Sequence, residues 1–243
     1  MSTRARILEV AAGLVARSPD GDISTRAVCE AAQVGAPALY RHFGDKEGLL
    51  SAVVDHGFDQ YLATKRQREP GPDPVQDLRD GWDGHVDFAL RNPNLYRLMN
   101  SPAMRTPPAS ALESHIILTR VLERAAVQGR LRMAPEPAAQ MIMSANVGVA
   151  LMLVSRPTTF TDGGTSARVR DAVHAAVLVP GATAAPAPSH DTGEAGGTDE
   201  AEVATAAARL NALLRRSPRS PLSPAETGLL SEWLDRLSTT RTG

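Results

Sequence analysis

The 243-residue chain balances 26 Lys and Arg against 27 Asp and Glu, so it has no overall basic field to draw in nucleic acid or an anionic membrane, and any such attraction must be local. Its length allows a substantial core, in one large domain or a large one with a very small companion. Cys29 is the only cysteine, which excludes an intrachain disulfide and a cysteine metal cluster and fits a reducing compartment.

Residues 4–16 place Ile7, Leu8, Ala11, Leu14 and Val15 on one helical stripe. No long apolar run precedes them, so a cytoplasmic protein is expected. After the turn "SPDGDI", Ser24 is placed to cap a second helix through Ala27, Val28 and Ala31. The pattern breaks at Gln33–Gly35. A third helix opens at Gly35 or Ala36 with Pro37 in its first turn, where a missing amide hydrogen costs little. Gly44 breaks the chain again. Asp45 is a good cap for a fourth helix, Lys46 to about Lys65, carrying Leu49, Val53, His56, Phe58 and Leu62.

Residues 69–76 read as a linker, followed by helices at 75–91, 93–100, 110–128, 136–154 and 165–178. The most apolar stretch, 141–154, is shorter than a membrane span and reads as a buried helix. Residues 180–199 are rich in Ala, Pro and Gly without a packing pattern and read as a flexible tether. Helicity returns at 200–216, where Val203, Ala206, Ala207, Leu210, Leu213 and Leu214 share a stripe. A last helix, 223–237, opens on the capping box Ser223-Pro224-Ala225-Glu226 and carries Leu230, Trp233, Leu234 and Leu237 on its apolar face. Such a helix must dock on its own domain or on a partner subunit. No alternating strand pattern occurs, so the fold class is all-α.

Two short helices separated by Gln33–Ala36 form a helix-turn-helix, whose second helix can enter a major groove about 12 Å wide. Helical period sends Val28, Ala32, Val34 and Leu39 inward, with Phe43 in the core. Ala36, Pro37, Tyr40 and Arg41 lie outward. Tyr40, His42 and Lys46 are suited to phosphate oxygens, which position a protein on DNA without reading sequence. A small buried hairpin is the plainer alternative. Local charge does not help to choose: residues 1–50 hold six Lys/Arg (Arg4, Arg6, Arg17, Arg26, Arg41, Lys46) and six Asp/Glu.

The stretch "TRAVCEAAQVGAPALYRHFGDKEGLL" (25–50) resembles the DNA-binding domain of the TetR family of transcriptional repressors: paired alanines before the turn, Val34 after it, then Leu39-Tyr40-x-His42-Phe43 and Lys46-Glu47-x-Leu49. The resemblance implies an N-terminal DNA-binding domain at 1–50 and a larger helical effector-binding and dimerisation domain at 51–243. It also implies that Thr25 and Arg26 touch phosphate or base edges, that Gly35, Ala36, Pro37 and Ala38 form the leading turn of the recognition helix, and that Tyr40, His42 and Lys46 anchor the backbone. The chain departs from the family pattern at Gln33, where Gly is usual. A left-handed backbone there costs a residue such as Gln roughly 1 kcal/mol. It also has Gly35 and Ala38 where Ser and Thr are frequent, so apolar contacts, Arg41 or Arg26 and DNA shape should carry more of the reading.

In that family the last two core helices dimerise, here 136–154 and 165–178. "SANVGVA" (144–150) is small enough for close helix approach, while Val173, Ala176, Val177 and Val179 offer apolar surface; an all-apolar helix inside one monomer is the alternative. Polar or aromatic groups on apolar helices are effector-pocket candidates: Trp82, His85, Phe88, Tyr96, Met99, His115, Met141 and Asn146. Trp82 and His85 are three residues apart and can face one cavity, suited to an apolar or aromatic ligand. No phosphate loop, zinc-protease motif or nucleophile elbow argues for an enzyme. Asp80, Asp83, Asp87 and His85 lack partner ligands on other helices and read as a solvated face, so no metal or cofactor is expected. The partners implied are operator DNA, a second copy and a small molecule, with no membrane. A helical protein-interaction module that has lost DNA binding is the alternative.

Overall fold

The computed structural model describes residues 2–18, 23–67, 69–101, 104, 106, 108–180, 199–216 and 222–239. Among these the chain forms eleven helices: α1 (Thr3–Arg17), α2 (Thr25–Ala32), α3 (Ala36–Phe43), α4 (Lys46–Gln67), α5 (Pro74–Arg91), α6 (Pro93–Met99), α7 (Ala109–Val127), α8 (Pro135–Ser155), α9 (Thr165–Val177), α10 (Asp199–Arg216) and α11 (Pro224–Ser238). The extended backbone among the described residues amounts to one isolated antiparallel bridge, Leu131 to Leu178, so the all-α expectation holds. Residues 19–22 of the expected turn and 181–198 of the expected tether lie outside the described residues.

The described chain packs as two units. One comprises Met1–Glu69, Gly84–His115 and Val147–Thr165; the other comprises Pro70–Asp83, Ile116–Asn146 and Ser166–Gly243. The first holds a continuous core drawn from the stripes of four helices: Ile7, Leu8, Ala11 and Val15 of α1, Val28 and Ala32 of α2, Leu39 and Phe43 of α3, and Leu49, Leu50, Val53 and Val54 of α4. Leu98 of α6 closes it. Each large member contributes about 1.5–3 kcal/mol by leaving water, which short helices such as α2 and α3 need because they are marginal alone.

In the second unit the segment expected as a loose linker is tied down. Gly71 donates its N–H to Asp77 Oδ2 at 3.0 Å, Arg124 pairs with Asp77 at 2.8 Å, and Arg130 pairs with Asp73 at 2.5 Å. The helix starts at Pro74, with Val75 N–H held by Asp73 at 2.9 Å. α10 and α11 form a hairpin around Ala204, Ala207, Ala208, Ala212 and Leu234, pinned by Asn211 donating to Asp235 Oδ1 at 2.6 Å. The capping box at Ser223 is present as expected.

α8 corrects the sequence reading. The helix is 21 residues long, long and apolar enough to cross a membrane by length and composition, and 33 % of its most apolar window is buried inside the chain. It was expected to be too short and buried; Pro135 starts the helix six residues before Met141, and its outer side is left to solvent. Gln140, Met141, Ser144 and Gly148 are exposed on it, spaced as one face. On α9 the exposed surface is Arg168, Asp171, Ala172, Ala175 and Ala176. Val177, expected on that surface, is fully buried.

Candidate nucleic-acid interface

The geometry of α2–α3–α4 is set at its two turns. Ser24 Oγ accepts the Ala27 N–H at 3.1 Å and starts α2. α2 ends in a Schellman closure: Val34 N–H donates to Cys29 O at 3.0 Å and Gln33 N–H to Glu30 O at 3.2 Å. That closure needs a left-handed residue, and Gln33 supplies it at φ 52°, ψ 49°. It is the one non-glycine at positive φ among the described residues. Gly35 then precedes α3 without a side-chain cap, with Pro37 in the first turn.

The second turn is equally specified. Gly44 sits at φ 79° and returns its N–H to Tyr40 O at 2.8 Å. Asp45 Oδ1 accepts the Gly48 N–H at 2.7 Å and caps α4. Gly48 is required for a reason the sequence reading missed: a Cβ there would lie 2.1 Å from the Phe43 carbonyl oxygen. The close turn from α3 into α4 leaves room only for hydrogen.

These turns leave a mixed outer side, small and apolar at its start and polar toward its end, over an apolar inner one. Leu39 and Phe43 are buried, while Ala36, Pro37, Arg41 and Lys46 are exposed and Tyr40 is 44 % exposed. Thr25, Ala38 and His42 are half-buried, with the His42 ring edge-on to Phe43 at 6.3 Å. Arg26 is exposed but engaged, its Nε 2.8 Å from Glu30 Oε1 one turn on. Arg4, unassigned from the sequence, lays its guanidinium over the Phe43 ring at 5.3 Å and so brings a cation from α1 to the end of α3. Thr25, Arg26, Cys29, Glu30, Gln33, Val34 and Ala36 line a shallow depression of about 470 Å³. The arrangement is that of a helix-turn-helix with a protruding second helix, a shape that fits a major groove.

The effector candidates fall into separate sets. In the first unit His85, Phe88 and Tyr96 stand together, with His85 Nε2 2.8 Å from Tyr96 Oη. Three residues of α4 missed from the sequence join them. Phe58 packs edge-on to Phe88 at 4.6 Å and to Tyr61 at 4.8 Å, and Lys65 Nζ lies 4.6 Å from the Tyr61 ring centre. Tyr61 Oη is buried without a hydrogen-bond partner. Burial raises the Tyr61 phenol, with the Tyr96 charge adding to it, and lowers Lys65 to about 8. Burial, then the Lys65 charge, takes His85 down to about 3. The spacing Phe58, Tyr61, Lys65 was the available signal, since it puts three large groups on one face of α4.

In the second unit Trp82 Nε1 donates to Ser166 Oγ at 3.0 Å and Asn146 Nδ2 to Trp82 O at 3.3 Å. His174, also missed, meets the Trp82 ring edge-on at 6.1 Å and is 2 % exposed, with both ring nitrogens unpartnered. Burial and then the Arg79 and Arg170 charges lower it to about 4, against Asp171. Trp82 and His85 thus have different partners, although three residues separate them. Met99 packs on the N-terminal core, Met141 is 42 % exposed, and His115 is half-buried on α7.

Residues 7–53 match the sequence model of the bacterial regulatory proteins of the tetR family. Over 103 residues it is 29 % identical to the nucleoid occlusion factor SlmA of Alteromonas mediterranea. That match spans 42 % of this chain and about half the length of the relative, 52 %. The fold is similar to a TetR-family transcriptional regulator from Haemophilus influenzae (TM-score 0.51, 18 % identity, 73 % of this chain and 97 % of that one). It is also similar to BioQ bound to its double-stranded DNA operator (0.56, 20 %, 71 % and 98 %). A third is a single-substitution variant of TetR from Acinetobacter baumannii in complex with minocycline (0.55, 21 %, 71 % and 94 %).

Proposed function

We propose that this protein is a cytoplasmic transcriptional repressor that binds operator DNA as a homodimer and is released by a small apolar or aromatic ligand. The observation that carries the reading is the exposed side of α3, with Ala36, Pro37, Tyr40 and Arg41 held outward by buried Leu39 and Phe43 and with Lys46 exposed at the start of α4. Residues 1–50 are the DNA-binding domain and 51–243 the effector and dimerisation domain. Tyr40, His42 and Lys46 contact the DNA backbone, Thr25 and Arg26 contact phosphate or base edges, and Gly35 to Ala38 and Arg41 face the groove. The operator-bound and minocycline-bound relatives make both ligand classes reasonable for a chain of this fold.

A helix-turn-helix reads one half-site, so two copies about 34–36 Å apart read a palindrome. The exposed small residues Ser144 and Gly148 of α8 and Ala172, Ala175 and Ala176 of α9 are the proposed dimer surface. They would cover the exposed face of an apolar helix of which a third of the most apolar window is buried within the chain. Release follows if the ligand prefers a state in which the two reading heads are wrongly spaced; a differential affinity of about 1–3 kcal/mol weakens operator binding roughly 5–150-fold. α4 is the proposed transmitter, because one rigid helix carries the Asp45 cap and Lys46 at one end and Phe58, Tyr61 and Lys65 toward the other.

Gel-shift titration against a pool of upstream genomic fragments tests the reading. Selective retention of one palindromic fragment, reversed by an apolar compound, is the expected outcome. Failure to retain any fragment removes the DNA-binding claim and favours an interaction module.

A further inference from the structure

α10 carries an apolar stripe that nothing described covers. Val203 is 48 % exposed, Leu210 46 % and Leu213 43 %, and Ala206 between them is exposed as well. The steps between these residues are three, four and three, the spacing of a seam that meets another helix. α11 has its own exposed row, Leu229, Trp233 and Leu237. Its charges are consumed locally, Glu226 in the capping box and Glu232 on Arg236, and give no hint of a partner. The charges of α10 do. Beside the stripe its N-terminal half exposes Glu200 and Glu202, and its C-terminal half exposes Arg209 and Arg216, while Arg215 is held at 3.3 Å by Asp235 of α11.

A helix acidic at one end and basic at the other is complementary to itself when reversed. We infer that α10 pairs antiparallel with α10 of a second copy, about a two-fold axis near residue 209. That register sets Glu202 of each copy level with Arg216 of the other and packs the two seams together. A parallel pairing would instead bring like ends together. The one position where like charges meet, Arg209, has its side chain against Gly129 of its own chain, 3.4–3.7 Å from where a Cβ on that glycine would stand. An isologous contact of this kind needs no second patch. It is separate from the α8–α9 surface proposed above. Four seam residues bury far less than the roughly 800 Å² per partner of a stable dimer, so the contact holds copies already brought together by another interface or by neighbouring DNA sites.

The test uses the full-length protein with Cys29→Ser and a single new cysteine. Leu210→Cys lies beside the axis and is expected to form a disulfide-linked pair under mild oxidation. Gly228→Cys, exposed on α11 with open space around it, is expected not to. Glu202→Arg added to Leu210→Cys should reduce the cross-link several-fold, and Arg216→Glu on top of it should restore it. Absence of the Leu210→Cys link overturns the pairing, as does an equal link at Gly228→Cys. Slow alkylation of Leu210→Cys in protein that stays unlinked overturns it too, because the face is then covered by the chain itself. The charge swap itself separates the two interfaces, since Glu202 and Arg216 lie on neither α8 nor α9: a link that falls with Glu202→Arg and recovers with Arg216→Glu supports the α10 pairing whichever surface forms the main dimer, whereas a link indifferent to both changes overturns it.

Discussion

The helix-turn-helix and the buried polar sets are built on opposite plans. Between Ser24 and Gly48 apolar groups point in, polar groups point out, and each turn is closed by its own hydrogen bonds. Around Tyr61 and His174 polar atoms point in and find no partner. A buried polar atom without a hydrogen bond costs about 1–3 kcal/mol, so the chain tolerates there what it avoids in the reading head. The first plan suits a surface that must present fixed chemistry to a rigid partner. The second suits a site waiting for something to complete it, or one whose protonation state matters.

The largest expected break in this contrast comes from Gly148→Glu. The site is exposed with nothing within 4 Å of an added Cβ, so the single chain should fold normally while the proposed dimer splits. Light scattering should report about half the wild-type mass, and palindrome affinity should fall by at least about 100-fold as one half-site is lost. Retention of the dimer moves the interface elsewhere.

Acid comes next. His174 and His85 sit at about 4 and 3 in the folded chain against 6.5 unfolded, so the unfolded state binds more protons between those values. Stability is complete above about pH 6.5 and falls as pH drops toward 4, by about 3 kcal/mol for His174. Melting at pH 7 and at 4.5, repeated with His174→Phe, should show a smaller acid loss in the variant. An identical loss would mean His174 has a partner or stays solvated.

Gly48→Ala tests the opposite plan, since it strains the turn without touching the outer face. Forcing a methyl against the Phe43 carbonyl should cost about 1–3 kcal/mol, read as a lower melting temperature. Lys46→Ala should leave melting alone, weaken binding to all DNA sequences alike and lower the salt slope by about 1. A sequence-selective loss would make Lys46 a base reader. The smallest effect belongs to Gln33→Gly, which removes left-handed strain and should add about 0.5–1 kcal/mol of stability with operator affinity unchanged. No gain would mean the Gln33 side chain contributes locally.

The N-terminal elements were legible because their signals are local. Ser24, Asp45 and Ser223 mark helix starts by hydrogen bonds to residues three positions on, and the left-handed backbone at Gln33 was anticipated only through the TetR resemblance, in which Gly is usual there. Gly48 was hidden, since its constraint is a carbonyl across a turn rather than a pattern. The pocket candidates were only half legible. Period placed Trp82 and His85 within one turn of each other but could not tell that each takes its own partners, Ser166 and His174 for one, Tyr96 and Phe58 for the other. Lys65 was legible only as part of the α4 face shared with Phe58 and Tyr61; that its ammonium lies over the Tyr61 ring is a fact of packing that the spacing does not announce. The exposure of α8 was misread for the reverse reason: composition says apolar, and only packing says whether the chain covers its own apolar helix.

One consequence follows from the even charge of the reading head, where six cations among residues 1–50 meet six anions and Arg26 is clasped by Glu30. Random DNA is held almost wholly by phosphate neutralisation, so a head with no net charge grips it weakly. Under the proposed function, a protein built this way loses few copies to the bulk chromosome, which otherwise competes with on the order of a million or more sites. Its operator can then be kept occupied by a small cellular stock, at the expense of a slower search along the duplex.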